Sequence, residues 1–195
     1  MAGFFLINSK NLLTEFLKYK SKIAIRLLNH RGPDNSKIFF AEKFVIGQTN
    51  FSKIENHEYS NKTFHDKDFD CYLTINGQIN NYKDLTKKYN FSLKEYQSNF
   101  HFLFELFDQY GFKKIINELE GYFSGVYINR KKKVSIIFRD RFGIKPLYYF
   151  KNSNFFIAAS EINAILPFLD KRTQNQEIVK DFIIDGNIDH TNQTF

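Results

Sequence analysis

Residues 139–149 read Arg-Asp-Arg-Phe-Gly-Ile-Lys-Pro-Leu-Tyr-Tyr and lie among four strand-like runs at 121–128, 134–138, 147–150 and 154–159. Short turns separate these runs, so they predict an antiparallel sheet. Within the stretch, Arg139, Asp140 and Arg141 can hold the end of a strand by ion pairs. The alternative, compatible with the first, is that the stretch docks against another domain. Gly143 would permit the turn that follows.

The preceding residues alternate between strand-like and helical patterns. Strands are expected at 2–8, 37–47 and 70–75, a surface loop at 52–68, and a turn at Asn76-Gly77. Helices are expected from Ser9 as cap to Leu28, over 81–89, and from Ser98 as cap to Gly111. A helical segment should follow Ser160, and a weak helix is expected over 177–184. Helices that separate only the early strands favour a layered α+β domain over βαβ alternation.

Composition and charge narrow the class of protein. A chain of 195 residues with 43% hydrophobic content can bury one substantial core. The net charge of +7 comes from scattered lysines, and the run 130–133 is expected to be a solvated hairpin turn, which disfavours a nucleic-acid partner. The single cysteine, Cys71, excludes an intramolecular disulfide. No apolar stretch approaches the roughly 20 residues needed to cross a bilayer, so we expect a cytoplasmic protein without membrane contact.

Several motifs occur in one order along the chain: Met1–Phe5, His30–Asp34, Asn76–Gln78, Arg139–Tyr149 and Ala159–Glu161. Together they resemble the class II glutamine amidotransferase domain of the glutamine-hydrolysing asparagine synthetase family, which has the N-terminal-nucleophile hydrolase fold. The resemblance implies a four-layer αββα sandwich of antiparallel sheets. It assigns residues 1–170 to the amidotransferase-like domain, and 171–195 to a linker toward a synthetase domain absent from this sequence.

The resemblance also implies which residues form the site. A family member carries at position two a cysteine whose own α-amine serves as general base, but this chain has Ala2. The family's oxyanion-binding pair is retained as Asn76 and Gly77. Three positions of the glutamine pocket are altered: Asn50 replaces the arginine for the α-carboxylate, Asn99 replaces the carboxylate for the α-ammonium, and Gln78 replaces a glutamate.

These changes favour a degenerate amidotransferase domain without glutaminase activity. It would be a structural or regulatory partner of an asparagine-synthetase-like domain, in cis or in trans. Glutamine binding is then doubtful, and a homodimer is compatible with the resemblance. We expect no cofactor or metal in this chain, since ATP and Mg²⁺ are implied only for the synthetase domain.

Two alternatives stay open. The first is an ordinary glutamine-hydrolysing domain in which Ala2 was introduced; Asn50 and Asn99 argue against it, because an engineered trap would keep the substrate anchors. The second is a non-catalytic module that binds another ligand.

The other reactive side chains in the sequence do not indicate a second catalytic site or a metal site. Cys71 lies five residues before Asn76, so on one strand the two side chains should point to opposite faces. His30 and His101 have no partner that the sequence reveals, and no spacing is typical of a metal site.

Overall fold

The computed structural model describes residues 2–50, 64–66, 70–91 and 99–186, without the side chains of 64, 66 and 99–101. Its strands are β1 Gly3–Ser9, β2 Asn35–Phe40, β3 Phe44–Asn50, β4 Phe64–Asp66, β5 Cys71–Ile79, β6 Gly121–Asn129, β7 Val134–Arg139, β8 Tyr148–Lys151 and β9 Phe155–Ala159. Its α-helices are α1 Glu15–Leu27, α2 Tyr82–Lys88, α3 Asn99–Tyr110, α4 Phe112–Glu118 and α5 Gln176–Asp185. Short 3₁₀ turns span Asn29–Arg31, Ile162–Ala164 and Leu166–Phe168.

The strands form two antiparallel sheets. The first has the order β2-β3-β1-β9-β8 and the second β4-β5-β6-β7. The mixed α+β fold expected from the sequence is confirmed. The four late strands do not form one sheet, however: β6 and β7 join the second sheet, whereas β8 and β9 join the first.

Three buried clusters define four layers. Phe5 and Ile7 of β1 pack in a cluster with α1 residues such as Ile25. Their neighbours Phe4 and Leu6 point the other way, into a cluster that includes residues of the second sheet. On the far side of that sheet, β5 packs against α3 and α4. The order is therefore helix, sheet, sheet, helices, as the αββα expectation requires.

Helix boundaries follow local caps. Thr14 caps α1, its Oγ1 accepting a hydrogen bond from the Leu17 backbone N–H at 3.2 Å. Ser9 is not the cap, because it belongs to β1 and its Oγ accepts instead from the Asn11 N–H. Gly111, with φ +85°, ends α3 as expected and leads directly into α4, which the sequence reading missed.

Two loop predictions are wrong. Asn76-Gly77 is not a turn, because β5 continues to Ile79 and pairs Asn76 with Ser124 and Gly77 with Phe123 of β6. In the expected loop at 52–68, residues 64–66 form β4; positions 52–63, 67 and 68 lie outside the described residues.

The 139–149 stretch is held by hydrogen bonds between the Arg139 and Asp140 side chains and backbone groups rather than by the expected ion pairs. The Asp140 carboxylate accepts from the backbone N–H groups of Phe123, Phe142, Ile144 and Lys145. The Arg139 guanidinium donates to the carbonyl oxygens of Gly143 and Lys145. Because these bonds fix the chain on both sides of Gly143, the loop between β7 and β8 is well constrained.

The tail forms the expected helix. Asn175 caps α5 through its side chain, and Gly186, at φ +71°, ends it. Residues 187–195 lie outside the described part, and the domain division at 170 stays a prediction. Among the residues that the structure describes, no helix is long and apolar enough to cross a membrane.

Candidate functional site

The site predicted from the motifs lies where β1 begins and β3 ends. The antiparallel register pairs Gly3 with Thr49, which sets Ala2 beside Asn50 on the neighbouring strand. Even-numbered residues of both strands, including Phe4 and Ile46, face the second sheet. By the period of a strand, Ala2 and Asn50 face the same inter-sheet space.

The second sheet brings Asn76 to this space. Tyr72 of β5 belongs to the inter-sheet cluster, so Asn76, four residues further along the strand, faces the same way. The Gln48 side-chain amide donates to the Ile75 carbonyl oxygen at 3.4 Å and so joins the two sheets directly beside Asn76. Strand register and periodicity therefore place Ala2, Asn50 and Asn76 toward the inter-sheet side at the same end of the sandwich.

Ala2 is held tightly. It is fully buried, and its carbonyl oxygen accepts from Arg31 Nε at 3.1 Å. The next two backbone N–H groups donate to side chains: Gly3 to Thr49 Oγ1 at 3.2 Å and Phe4 to Ser160 Oγ at 3.1 Å. The backbone at position two is fixed by this scaffold, while the side chain there is a methyl group.

An ion pair supports that scaffold. Glu161 Oε1 accepts from Arg31 Nη1 at 2.9 Å and lies 2.8 Å from His30 Nε2. Burial raises the pKa of the Glu161 carboxyl, but its hydrogen bonds with Arg31 and His30 outweigh burial and the net pKa is lowered. His30 therefore has a partner that sequence reading did not find. The available signal was the presence of His30 and Glu161 in two separate motifs of the sequence, His30–Asp34 and Ala159–Glu161.

Gly77 occupies a position that only glycine fits. Its φ is +128°, and a Cβ there would lie 2.0 Å from the Tyr122 carbonyl oxygen. The backbone beside Asn76 is consequently fixed against β6. An amide side chain next to a rigid backbone is an arrangement suited to stabilising a carbonyl oxygen that gains negative charge.

The Asn76 side chain is buried, with 1% of its surface exposed, and neither its Nδ2 nor its Oδ1 has a hydrogen-bond partner among the described residues. The same is true of Asn50 Oδ1. Buried polar atoms are normally paired, so these amide atoms are exceptions to the usual pattern.

The other predicted site positions either lie elsewhere in the fold or have side chains outside the described residues. Gln78 is exposed at the end of β5, where its Oε1 accepts from the Tyr122 hydroxyl at 2.9 Å. Asn99 is the first residue of α3, and its side chain, like that of His101, is outside the described part. Their predicted relation to a glutamine pocket stays a prediction.

Cys71 lies on the far face of β5. It packs in the core with α3, and its Sγ is 3.7 Å from the Tyr127 hydroxyl. Burial raises the pKa of Tyr127 well above its ordinary range, so this phenol is a neutral member of the core. The expectation that Cys71 and Asn76 face opposite ways is confirmed. Within the described ranges, no three His, Cys, Asp or Glu side chains are grouped to hold a metal ion.

The loop between β7 and β8 borders the site. Ser124, the register partner of Asn76, donates through its Oγ to the Pro146 carbonyl oxygen at 3.1 Å. Lys145 is half-buried with its Nζ 5.1 Å from the centre of the Tyr122 ring. Burial lowers the pKa of Lys145, and the nearby charge of Arg31 acts in the same direction. The stretch that organises the fold thus also reaches the end of the sandwich where Asn76 lies.

Known proteins share both the sequence pattern and the fold. A probable glutamine-hydrolysing asparagine synthetase of Acanthamoeba polyphaga mimivirus is 28% identical over 177 residues, which are 86% of this chain and 32% of that protein. Asparagine synthetase 2 of Bacillus subtilis is 26% identical over 163 residues, 82% of this chain and 21% of that protein. This chain therefore spans about a third or less of the length of these relatives.

The glutamine phosphoribosylpyrophosphate amidotransferase of Bacillus subtilis has the same fold, with a TM-score of 0.63 at 17% identity over 84% of this chain and 42% of that one. The model of the glutamine amidotransferase domain family matches residues 1–195. With the two-sheet sandwich and the position of Ala2 at its end, this match shows that the chain belongs to the glutamine amidotransferase domain family, in the class II group related to asparagine synthetases.

Proposed function

We propose that this domain no longer hydrolyses glutamine and is a structural or regulatory partner of an asparagine-synthetase-like domain. That domain would use free ammonia, or would perform a different amidation or adenylation. The observation that carries the proposal is the buried methyl group of Ala2, at the position where the family resemblance implies a nucleophilic cysteine.

The chemistry of the position supports this. Acyl transfer from a glutamine carboxamide needs a side-chain atom that can donate an electron pair to the carbonyl carbon and later release the acyl group. Alanine has no such atom. An α-amine at position two would have no thiol to deprotonate.

The residues at the predicted substrate-binding positions also support the proposal. Asn50 and Asn99 are neutral where the family resemblance implies an arginine and a carboxylate. Each hydrogen bond to a charged group contributes roughly 1.5 to 3 kcal/mol, so loss of both would weaken binding of the glutamine zwitterion by on the order of 10²- to 10⁴-fold.

A partner role is supported by the surface beside the site. In the constrained loop and the strand that follows, Phe142, Ile144 and Tyr149 are 83%, 60% and 68% exposed. Several large apolar side chains exposed on one constrained segment are compatible with a protein contact. A synthetase-like domain in cis or in trans would cover them, and ATP and Mg²⁺ would belong to that domain.

A glutaminase assay tests the central claim. The purified chain should release no more glutamate from L-glutamine than a heat-denatured sample of the same concentration. Glutamate release clearly above that background would refute the proposal.

Restoring the predicted site residues distinguishes the proposed inactive domain from an ordinary glutamine-hydrolysing domain that carries an introduced alanine. We expect Ala2→Cys alone, with Met1 removal confirmed by mass spectrometry, to leave the chain inactive. Addition of Asn50→Arg and Asn99→Asp should then produce measurable hydrolysis, because nucleophile and both charge partners are present. Full activity of the single variant would favour the ordinary domain.

A further inference from the structure

An apolar groove lies on the outer face of α1, between this helix and the short turns that follow β9. Its volume is about 440 Å³, and cavities of roughly 300–1,000 Å³ commonly hold small organic molecules. None of its lining residues belongs to the site beside Ala2. Most of the lining side chains are apolar: Phe16, Tyr19, Ile23, Leu27, Leu166 and Pro167.

The groove exists because α1 has a second apolar stripe. Ala24 and Ile25 face the core under the first sheet. Phe16, Tyr19 and Leu27 recur at helical spacing on another face and are 61%, 63% and 41% exposed. One apolar stripe is enough to hold a surface helix, and large apolar side chains exposed in a groove are a feature of ligand sites. The second stripe is therefore available to an apolar ligand.

The shape of the groove favours an extended ligand. Phe16 and Leu27 both line it, and the helical rise of about 1.5 Å per residue places them about 16 Å apart along α1. A long, narrow apolar surface of this kind matches an alkyl chain.

Two cations lie against the walls of the groove. Lys20 Nζ is 4.2 Å from the centre of the Phe16 ring, and Arg172 Nη2 donates to the Leu166 carbonyl oxygen at 3.3 Å. Both side chains line the groove, whereas no acidic side chain does. Neither cation has a carboxylate partner among the residues that the structure describes. The charges are thus held beside the apolar wall without an anion to balance them.

An apolar wall with fixed positive charges is complementary to a molecule that has an alkyl chain and an anionic head. A second copy of this chain would bring further cations to the same face, so like charges disfavour a dimer through α1. We infer that the groove is a reversible binding site for amphipathic monocarboxylates. The alkyl chain packs along α1, and the carboxylate accepts hydrogen bonds from Lys20 and Arg172. This inference goes beyond the proposed function and does not depend on it.

Titration of the full chain with decanoate, followed by ¹H–¹⁵N correlation NMR and calorimetry, tests the inference. Decanoate should shift the backbone amide signals of α1 and of residues 162–172. It should bind about tenfold or more tightly than decylammonium, which has the same alkyl chain length and the opposite charge. Acetate, which lacks the alkyl chain, should cause no shift in these signals.

Three variants separate the two parts of the site. Lys20→Gln combined with Arg172→Gln should weaken decanoate binding about tenfold without weakening decylammonium binding, because only the carboxylate loses its partners. Leu27→Gln should weaken binding of both ligands, since it interrupts the apolar wall at an exposed position. Lys22→Gln is the matched control: it removes an exposed lysine of α1 that does not line the groove and should leave both affinities unchanged.

The inference is overturned if decanoate causes no shift in α1, if decylammonium binds as tightly, or if the double variant keeps its affinity for decanoate. Binding to phosphatidylglycerol vesicles without affinity for free decanoate would assign the face to a membrane surface instead, and would also overturn it. So would a dimer that buries α1 and is unaffected by decanoate. None of these outcomes involves glutamate release, so they are distinct from failure of the proposed function.

Discussion

At the residue scale, Asp140 shows how one carboxylate can organise a loop. It is 6% exposed and accepts four backbone N–H groups from both sides of Gly143. In Asp140→Asn, the new NH₂ group would face some of these backbone N–H groups and could not accept their hydrogen bonds. Loss of about two bonds to a charged acceptor predicts a decrease of about 3 kcal/mol in the free energy of unfolding at neutral pH. Urea denaturation of the wild type and the variant measures this decrease.

The same residue has a predicted pH dependence. Burial raises the pKa of Asp140, but the backbone N–H groups outweigh it and the net pKa is lowered. A lowered folded pKa contributes stability above the unfolded value of about 3.9, and that contribution is lost as pH falls toward the folded pKa. The difference between wild type and Asp140→Asn should therefore shrink below about pH 4. Asp170→Asn, which removes an exposed carboxylate, should show no comparable difference at either pH.

At the element scale, the pairing of β5 with β6 depends on Gly77. An alanine there would place Cβ 2.0 Å from the Tyr122 carbonyl oxygen at φ +128°, so Gly77→Ala should destabilise the chain by about 3 kcal/mol or more. Gly111→Ala is the matched control: it has φ +85° but nothing within 4 Å, and it should cost only about 1 kcal/mol. Equal effects in urea denaturation would show that backbone conformation alone, without the contact to β6, requires glycine at 77.

At the scale of the whole molecule, the two sheets share one cluster, which includes Leu6 of β1 and Val126 of β6. We therefore expect them to unfold together. Leu6→Ala should lower the free energy of unfolding by about 3 kcal/mol. In hydrogen exchange, the opening free energy of slowly exchanging amides in both β1 and β5 should fall by the same amount. Leu12→Ala, at a side chain that is 65% exposed, should change it by less than about 0.5 kcal/mol. A loss confined to β1 would contradict the shared core.

Features that depend on neighbouring residues could be predicted from the sequence alone. The apolar run at 2–8 predicted β1, and Gly111 predicted the end of α3, because strand periodicity and helix termination are local properties. The motif resemblance added the family, the two-sheet sandwich and the positions of Ala2, Asn50 and Asn76.

The way in which distant segments pair became clear only from the three-dimensional fold. The four late strands were expected in one sheet, but β8 pairs with β9 beside β1, while β6 pairs with β5 and β7. Asn76-Gly77 looked like a turn because glycine tolerates unusual φ, yet pairing with β6 keeps both residues in β5. Local patterns cannot choose among partners far apart in the chain. That choice depends on burying the shared core, and it is what brings the methyl group of Ala2 and the unpartnered amides of Asn50 and Asn76 to one end of the sandwich.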